Sequence, residues 1–190
     1  MQAYSRRWNA WVLTALLLGS GSAVQAQKVK LATTQGDIVL ELDAAKAPKT
    51  VENFVQYVKA GHYNGTVFHR VIENFMIQGG GMTADLSEKP KRGSIPLESR
   101  NGLNNDRGTV AMARTNDPNS ASAQFFINVK DNGFLNAAQS RDGNGYAVFG
   151  KVVAGMDVVD KIRGVPTGNK GPYENVPLQP VVINKATILE

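Results

Sequence analysis

The 190-residue chain contains no cysteine, so a disulfide-stapled fold and any cysteine-based zinc site are excluded. Histidine occurs only as His62 and His69, too few for a recognisable zinc set. Asp142-Gly143-Asn144-Gly145-Tyr146 begins like a calcium loop, but Val153 stands where the closing Glu belongs. No metal is implied. No serine sits in G-x-S-x-G or S-x-x-K, so the usual nucleophile settings are missing. Gly79-Gly80-Gly81 lacks both the Gly-Lys-Ser/Thr of a phosphate loop and the spacing of a dinucleotide fingerprint, so no cofactor is implied. The chemistry left is one that needs neither nucleophile, metal nor cofactor.

Long apolar runs are scarce as well. Val12 to Leu18 is apolar except for Thr14, far short of the roughly 20 residues a membrane span needs. Arg6 and Arg7 precede that run, and Val24-Gln25-Ala26 places small or apolar residues three and one positions before a cut after Ala26. Residues 1–26 therefore read as a cleaved secretory signal peptide, with a membrane anchor as the competing reading. Arg6-Arg7 resembles a twin-arginine signal, but Trp8-Asn9 continues it poorly, which favours general secretion. No later stretch could span a bilayer, so the expected mature protein has no membrane contact.

Residues 27–190 suit a single domain with one buried core. The whole chain carries 21 Lys and Arg against 16 Asp and Glu. Losing Arg6 and Arg7 leaves an excess of about three positive charges. The densest cluster, Lys89-Pro90-Lys91-Arg92, has no interleaved aromatics, so a solvated loop is expected and no nucleic-acid partner.

Val29 and Leu31 alternate with lysines, Gln35-Gly36-Asp37 offers turn chemistry, and Ile38, Leu40 and Leu42 alternate again. That pattern predicts a β-hairpin over 28–42. Pro48 suits a first helical position, Val51, Phe54, Val55 and Val58 follow at helical spacing, and Gly61 stops the run, predicting a helix over 48–60. Short apolar runs predict strands at 67–72, 76–79, 109–113, 124–128, 147–153 and 181–189. A second helix is predicted over 156–163, with Met156, Val159 and Ile162 on one face. Many short strands with two helices argue for a mainly β domain, either a closed antiparallel barrel or a sandwich. Two long irregular stretches, 82–107 and 128–146, flank the most distinctive segments, and loops of that length in a compact domain are usually functional or disordered.

Phe68 to Gly81 reads F-H-R-V-I-E-N-F-M-I-Q-G-G-G. Strict alternation would put Arg70 on the same apolar face as Phe68 and Ile72, where a charge needs partners. A structural salt bridge would explain the arginine, and Gln78 could be a hydrogen bonder within the core. Together they also fit a pocket with apolar walls and a few fixed donors.

The segment resembles the cyclophilin signature, in which an F-H-R strand leads to F-M-x-Q-G-G. Gly108 to Ala113 with Ser122 to Ile127 is similar to that family's G-x-x-x-M-A and S-Q-F-F-I pair. Val148 to Val152 is similar to its V-F-G-K-V strand, and Gly155 to Val159 to the helix after it. The blocks stand in family order, and the likeness runs from about Val29 to Leu189. The resemblance implies a closed eight-stranded antiparallel β-barrel capped by two α-helices, with the substrate groove on its outer face. The implied activity is peptidyl-prolyl cis/trans isomerisation (rotamase activity), without a cofactor.

By the same resemblance Arg70 is the catalytic residue, and Phe75, Met76, Phe126 and Leu135 hold the proline ring. Gln78, the backbone at Ala113 and Arg114, and Gln124 hold the substrate main chain. Phe134 stands where many members carry a tryptophan, which implies weaker cyclosporin binding. Tyr146 replaces a pocket histidine, and Arg114 replaces an asparagine that acts through its backbone. The combination resembles the bacterial exported branch, which implies a periplasmic monomer acting on proline-containing segments of folding exported proteins. A barrel that grips such chains as a chaperone or scaffold without turning them over is the alternative.

The implied reaction rotates an X–Pro peptide bond, over a barrier of roughly 18–20 kcal/mol. Uncatalysed exchange is slow enough to limit folding. As the bond twists, the lone pair returns from the carbonyl to nitrogen, which becomes a hydrogen-bond acceptor. A guanidinium beside it binds the twisted form better than either planar form. Reaching millisecond turnover needs about 10⁴–10⁵-fold, roughly 5.5–7 kcal/mol, whereas one preorganised donor supplies about 2.7–4 kcal/mol. The remainder falls to the walls that grip the ring.

Overall fold

The computed structural model describes residues 26–189. Apart from Ala26, the expected signal peptide lies outside the described residues. The predicted hairpin forms as β1 (Lys28–Thr33) and β2 (Gly36–Leu42), with Val29, Leu31, Ile38, Leu40 and Leu42 fully buried on one face. Then come α1 (Pro48–Lys59), β3 (Thr66–Ile72), β4 (Met76–Gly79), β5 (Thr109–Met112), β6 (Phe125–Asn128) and β7 (Val148–Ala154). The helix α2 (Met156–Arg163), β8 (Thr167–Lys170), β9 (Tyr173–Pro177) and β10 (Val182–Leu189) complete the chain. Predicted element ends shift by a residue or so, as expected where capping and pairing decide the boundary.

Eight strands close in the order β1-β10-β3-β4-β6-β5-β7-β2, all antiparallel, with β2 pairing back to β1. The barrel alternative is therefore the correct one, and closure removes the unpaired edges a sandwich would expose. Phe68, Phe125 and Phe149 from the strands meet Phe54 of α1 and Tyr63 in the interior, all fully buried. Phe54 lies 5.0–5.5 Å from the rings of Tyr63, Phe125 and Phe149. A barrel filled in this way leaves no lumen for a polypeptide, so any substrate site has to lie outside it.

The two helices cap the filled barrel. Pro48 opens α1, and no side chain of the helix's own N-cap residue, Ala47, binds its first turn. Glu98 supplies that cap from the 82–107 stretch, accepting from the Thr50 N–H at 2.8 Å and the Thr50 hydroxyl at 2.7 Å. A carboxylate there also suits the positive end of the helix. In α2, Val158 joins Val159 and Ile162 as buried contacts, whereas Met156 is only partly buried, a small change from the predicted face.

The hairpin β8–β9 escaped prediction. Thr167-Gly168-Asn169-Lys170 and Tyr173-Glu174-Asn175-Val176 lack apolar alternation, because most of the hairpin faces water. It stands outside the barrel, with β9 packed against β3 and Val176 and Tyr173 meeting Met82 and Leu86.

Candidate active site

The site begins with an irregularity in β3. Phe68 pairs with Gly79 and Arg70 with Gln78, so His69 is an extra residue opposite no partner, a β-bulge. The bulge breaks the alternation assumed from sequence. Phe68 turns into the barrel core, while Arg70 turns out with Ile72, which packs on the outer cluster. The expectation that Phe68, Arg70 and Ile72 share a face is corrected accordingly. Gly79 accepts the close approach, since a Cβ there would lie 2.8 Å from the Val67 carbonyl oxygen.

Register then lines up the outer face. Arg70 pairs with Gln78, Gln78 with Phe126, and Phe126 with Ala111, giving one row across β3, β4, β6 and β5. In that row Gln78 donates from Nε2 to Gln124 Oε1 at 3.0 Å, which turns its own Oε1 toward Arg70. An Arg70 guanidinium N–H reaches that oxygen at 3.5 Å, a long bond that leaves the half-buried guanidinium free to serve another acceptor. No carboxylate pairs with Arg70 among the described salt bridges. The salt-bridge explanation of this arginine therefore loses its support. Gly81 leaves the room Gln124 needs, because a Cβ there would fall onto the Gln124 side chain.

Beside the row lies an apolar floor separate from the barrel core. Met76, Ala111, Phe126, Leu135 and Val148 are buried in it, with Phe75 and Tyr146 partly buried against them. Phe134, 57 % exposed, stacks on Phe75 with ring centroids 5.6 Å apart. Tyr146 meets Phe126 edge-on at 5.6 Å. The guanidinium of Arg114 lies over the Tyr146 ring, 4.6 Å from its centroid. Its N–H groups donate to the Gly145 and Thr115 carbonyls, both at 2.9 Å, and to the Asp142 carboxylate. Backbone N–H groups of Asn144 and Gly145, with the Arg114 pairing, hold the Asp142 carboxyl below the usual carboxylate range. The would-be calcium-loop aspartate is thus committed to its own turn and to Arg114.

The structure brings Arg70, Phe75, Met76, Gln78, Ala113, Arg114, Gln124, Phe126, Phe134, Leu135 and Tyr146 onto one outer face. One part of the expectation narrows. The Ala113 N–H is already donated to the Gln124 carbonyl at 3.0 Å, which leaves the carbonyl of Ala113 for a ligand.

What sequence reasoning missed lies behind the floor. Asn105, Asn128 and Asn132 are fully buried and linked through their side chains. Asn128 donates to Asn105 at 3.2 Å and to Thr109 at 2.9 Å, and Asn132 donates to Asn128 and to the Phe75 carbonyl, both at 2.8 Å. Asn136 accepts from the Asn105 backbone at 2.8 Å. The network ties Phe75 to the turn Gly133–Leu135 that carries Phe134 and Leu135. An asparagine ending the apolar run F-F-I-N is the one signal the sequence offers for it.

A plugged barrel with an arginine row beside an outer apolar pocket defines a peptide-binding barrel of cyclophilin type. The family described as cyclophilin type peptidyl-prolyl cis-trans isomerase/CLD matches residues 28–188. A peptidyl-prolyl cis-trans isomerase of Streptomyces antibioticus is 62% identical over 162 residues, covering 85% of this chain and 98% of the relative. Peptidyl-prolyl cis-trans isomerase A of Dickeya dadantii is 53% identical over 190 residues, covering 98% and 99%. A crystal structure of a cyclophilin type isomerase from Cryptosporidium parvum superimposes with TM-score 0.72 at 27% identity, covering 87% of this chain and 98% of that one. A second crystal structure of that protein, in the presence of the dipeptide Ala-Pro, gives TM-score 0.71 at 28% identity, covering 86% and 99%. The chain belongs to the cyclophilin-type peptidyl-prolyl cis/trans isomerases. Its activity is rotation of X–Pro peptide bonds, and the family binds proline-containing peptides.

Proposed function

We propose that Arg70 is the catalytic residue and that the outer groove turns proline-containing segments of exported proteins as they fold in the periplasm. The observation that carries the catalytic part is the row in which Gln124 orients Gln78 and Gln78 meets an Arg70 free of any carboxylate. A guanidinium so held keeps donors available for an imide nitrogen whose lone pair appears only on twisting. Phe75, Met76, Phe126 and Leu135 supply a niche for a five-membered ring. Their low polarity disfavours the charge-separated planar amide relative to the twisted one. Gln78, Gln124, the Ala113 carbonyl and the Arg114 backbone hold the neighbouring main chain, while Phe134 flanks Phe75 and Tyr146 flanks Phe126. Catalysis proceeds without a covalent intermediate.

The exported assignment rests on the three-part leader read in residues 1–26. The mature protein acts as a monomer, since one barrel holds every residue named above. Substrate turnover is favoured over passive gripping because a binder has no use for an uncommitted arginine beside the ring pocket.

The test compares residues 27–190 with the Arg70→Ala variant in a prolyl-peptide isomerisation assay. Turnover should fall about 10²–10³-fold, the usual loss of one preorganised donor, with an unchanged circular dichroism spectrum. An undiminished rate in the folded variant refutes the role of the arginine. Cell fractionation of the full chain should recover a protein beginning at Gln27 from the periplasm. A cytoplasmic protein still carrying Met1 refutes the location.

A further inference from the structure

The helix α2 carries a charged knot that reaches the proline side of the barrel. Asp160, on that helix, accepts from Arg107 through both carboxylate oxygens, at 3.1 Å and 2.7 Å, and from Arg163 Nε at 2.9 Å. Two-pronged pairing of an arginine fixes direction as well as charge. The hydrogen bond from Arg107, aided by that from Arg163, holds the Asp160 carboxyl below the usual carboxylate range, so it stays ionised at neutral pH. Val159 and Ile162, both fully buried, anchor the helix in the barrel core. Asp160 is therefore held on a rigid frame.

Each arginine also donates to a backbone carbonyl, and both carbonyls lie beside Phe75. Arg163 donates from Nη1 to the Glu73 carbonyl at 3.1 Å, in the turn that joins β3 to β4 and two residues before Phe75. Arg107 donates from Nη1 to the Val129 carbonyl at 2.8 Å, just past the end of β6. The Val129 N–H in turn donates to the Phe75 carbonyl at 3.1 Å. The Arg107 backbone N–H adds a bond to Asp131 Oδ1 at 2.8 Å in the same stretch. One carboxylate thus orients two guanidiniums, and these grip the two chain segments that meet at Phe75. Among the described residues, the neighbouring Asp157–Lys161 pair, at 3.9 Å, joins two positions of α2 only.

We propose that Asp160 is a positioning residue for substrate binding: through Arg107 and Arg163 it locks the Phe75 wall of the proline niche to α2. The proposal rests on the reading of Phe75 as a wall of that niche. Asp160 acts at a distance from the ring and outside the row that orients Arg70. Its loss weakens binding of planar and twisted substrate alike, which raises KM and spares kcat.

The test uses residues 27–190 and steady-state isomerisation of an uncharged Ala-Pro peptide. Asp160→Asn keeps the shape of the side chain and removes its charge. It should raise KM about three- to fivefold, the scale of a partly exposed ion-pair network, with kcat within about twofold of the parent. Asp157→Asn, the same charge change on the same helix, should leave KM unchanged. Hydrogen exchange at the Val129 amide should quicken at least about threefold in Asp160→Asn relative to the β1 and β2 amides, which report any global loss of stability. Phe75→Ala should itself raise KM, and in that background Asp160→Asn should add less than about 1.5-fold, because the two act as one unit. An unchanged KM in Phe75→Ala overturns the reading of the niche and this proposal with it. With KM raised there, four results overturn the positioning role alone: an Asp160→Asn KM equal to that of the parent or of Asp157→Asn, a kcat that falls as far as KM rises, an unchanged Val129 exchange rate, or an effect fully additive with Phe75→Ala.

Discussion

Replacing Asn132 with alanine would cut the network behind the proline pocket at its centre, and the cost can be worked out bond by bond. Asn132 donates to the Phe75 carbonyl and to Asn128 Oδ1, both at 2.8 Å. Each such bond contributes about 1 kcal/mol net, while a buried acceptor left bare costs about 1–3 kcal/mol. The Phe75 carbonyl keeps a second donor, the Val129 N–H at 3.1 Å, so only Asn128 Oδ1 is stripped. Against that, the Oδ1 of Asn132 itself is buried without a partner, and truncation removes a burden of the same size. The two orphan terms cancel, and the two lost bonds remain. The expected loss is about 2 kcal/mol, or about 4–8 °C in Tm for a domain of this length. The damage should also reach the substrate, because the network holds the Phe75 backbone and the turn carrying Phe134 and Leu135. KM for a prolyl peptide should rise several-fold while kcat changes less, since Arg70 hangs on other strands. Calorimetry with steady-state isomerisation kinetics reads both numbers. A Tm within 1 °C of the parent, or a destabilised variant with unchanged KM, would refute the reasoning.

Phe126→Ala removes the ring at the centre of the floor, 4 % exposed. It should cost about 3 kcal/mol in urea unfolding and raise KM more than Asn132→Ala does; an unchanged KM would contradict its place in the pocket. The buried ring of His69, with its pKa lowered to about 4 against about 6.5 in an unfolded chain, makes stability depend on pH. Between those values the unfolded chain binds the proton and the folded one does not, so stability falls as pH drops from 6.5 toward 4 and levels off below. Comparing pH 7 with pH 4.5, His69→Gln should lose about 2–3 kcal/mol less than the parent. Equal losses in urea titrations would contradict the buried neutral ring.

The fold was legible wherever one face of an element is wet and the other dry. Val29, Leu31, Ile38, Leu40 and Leu42 announced the first hairpin by alternation, and Pro48 with Val51, Phe54, Val55 and Val58 announced α1. The hairpin β8–β9 was not legible, because its side chains are largely solvated and leave no apolar period. The members of the candidate site were legible through F-H-R, F-M-I-Q and F-F-I, but their facing was not. Alternation has period two only while pairing is regular, and the extra residue at His69 reverses which side Arg70 takes. The asparagine network was hidden for a related reason. Buried amides are stable only when each finds its partners in space, and sequence spacing does not reveal that Asn105, 23 residues before Asn128, sits beside it. Arg114 was likewise expected to act only through its backbone, whereas its side chain is 3% exposed and braced between Tyr146 and Asp142.

The central claim is differential: the Arg70 row favours the half-twisted X–Pro bond over both planar forms. Exchange NMR on a short Ala-Pro peptide measures this directly, since one titration yields the affinity for the planar ground states and the rate of interconversion on the protein. In Arg70→Ala the peptide should bind within about threefold of the parent, while bound-state exchange slows about 10²–10³-fold. Affinity and exchange rate falling together, or an exchange rate that does not fall, would contradict it.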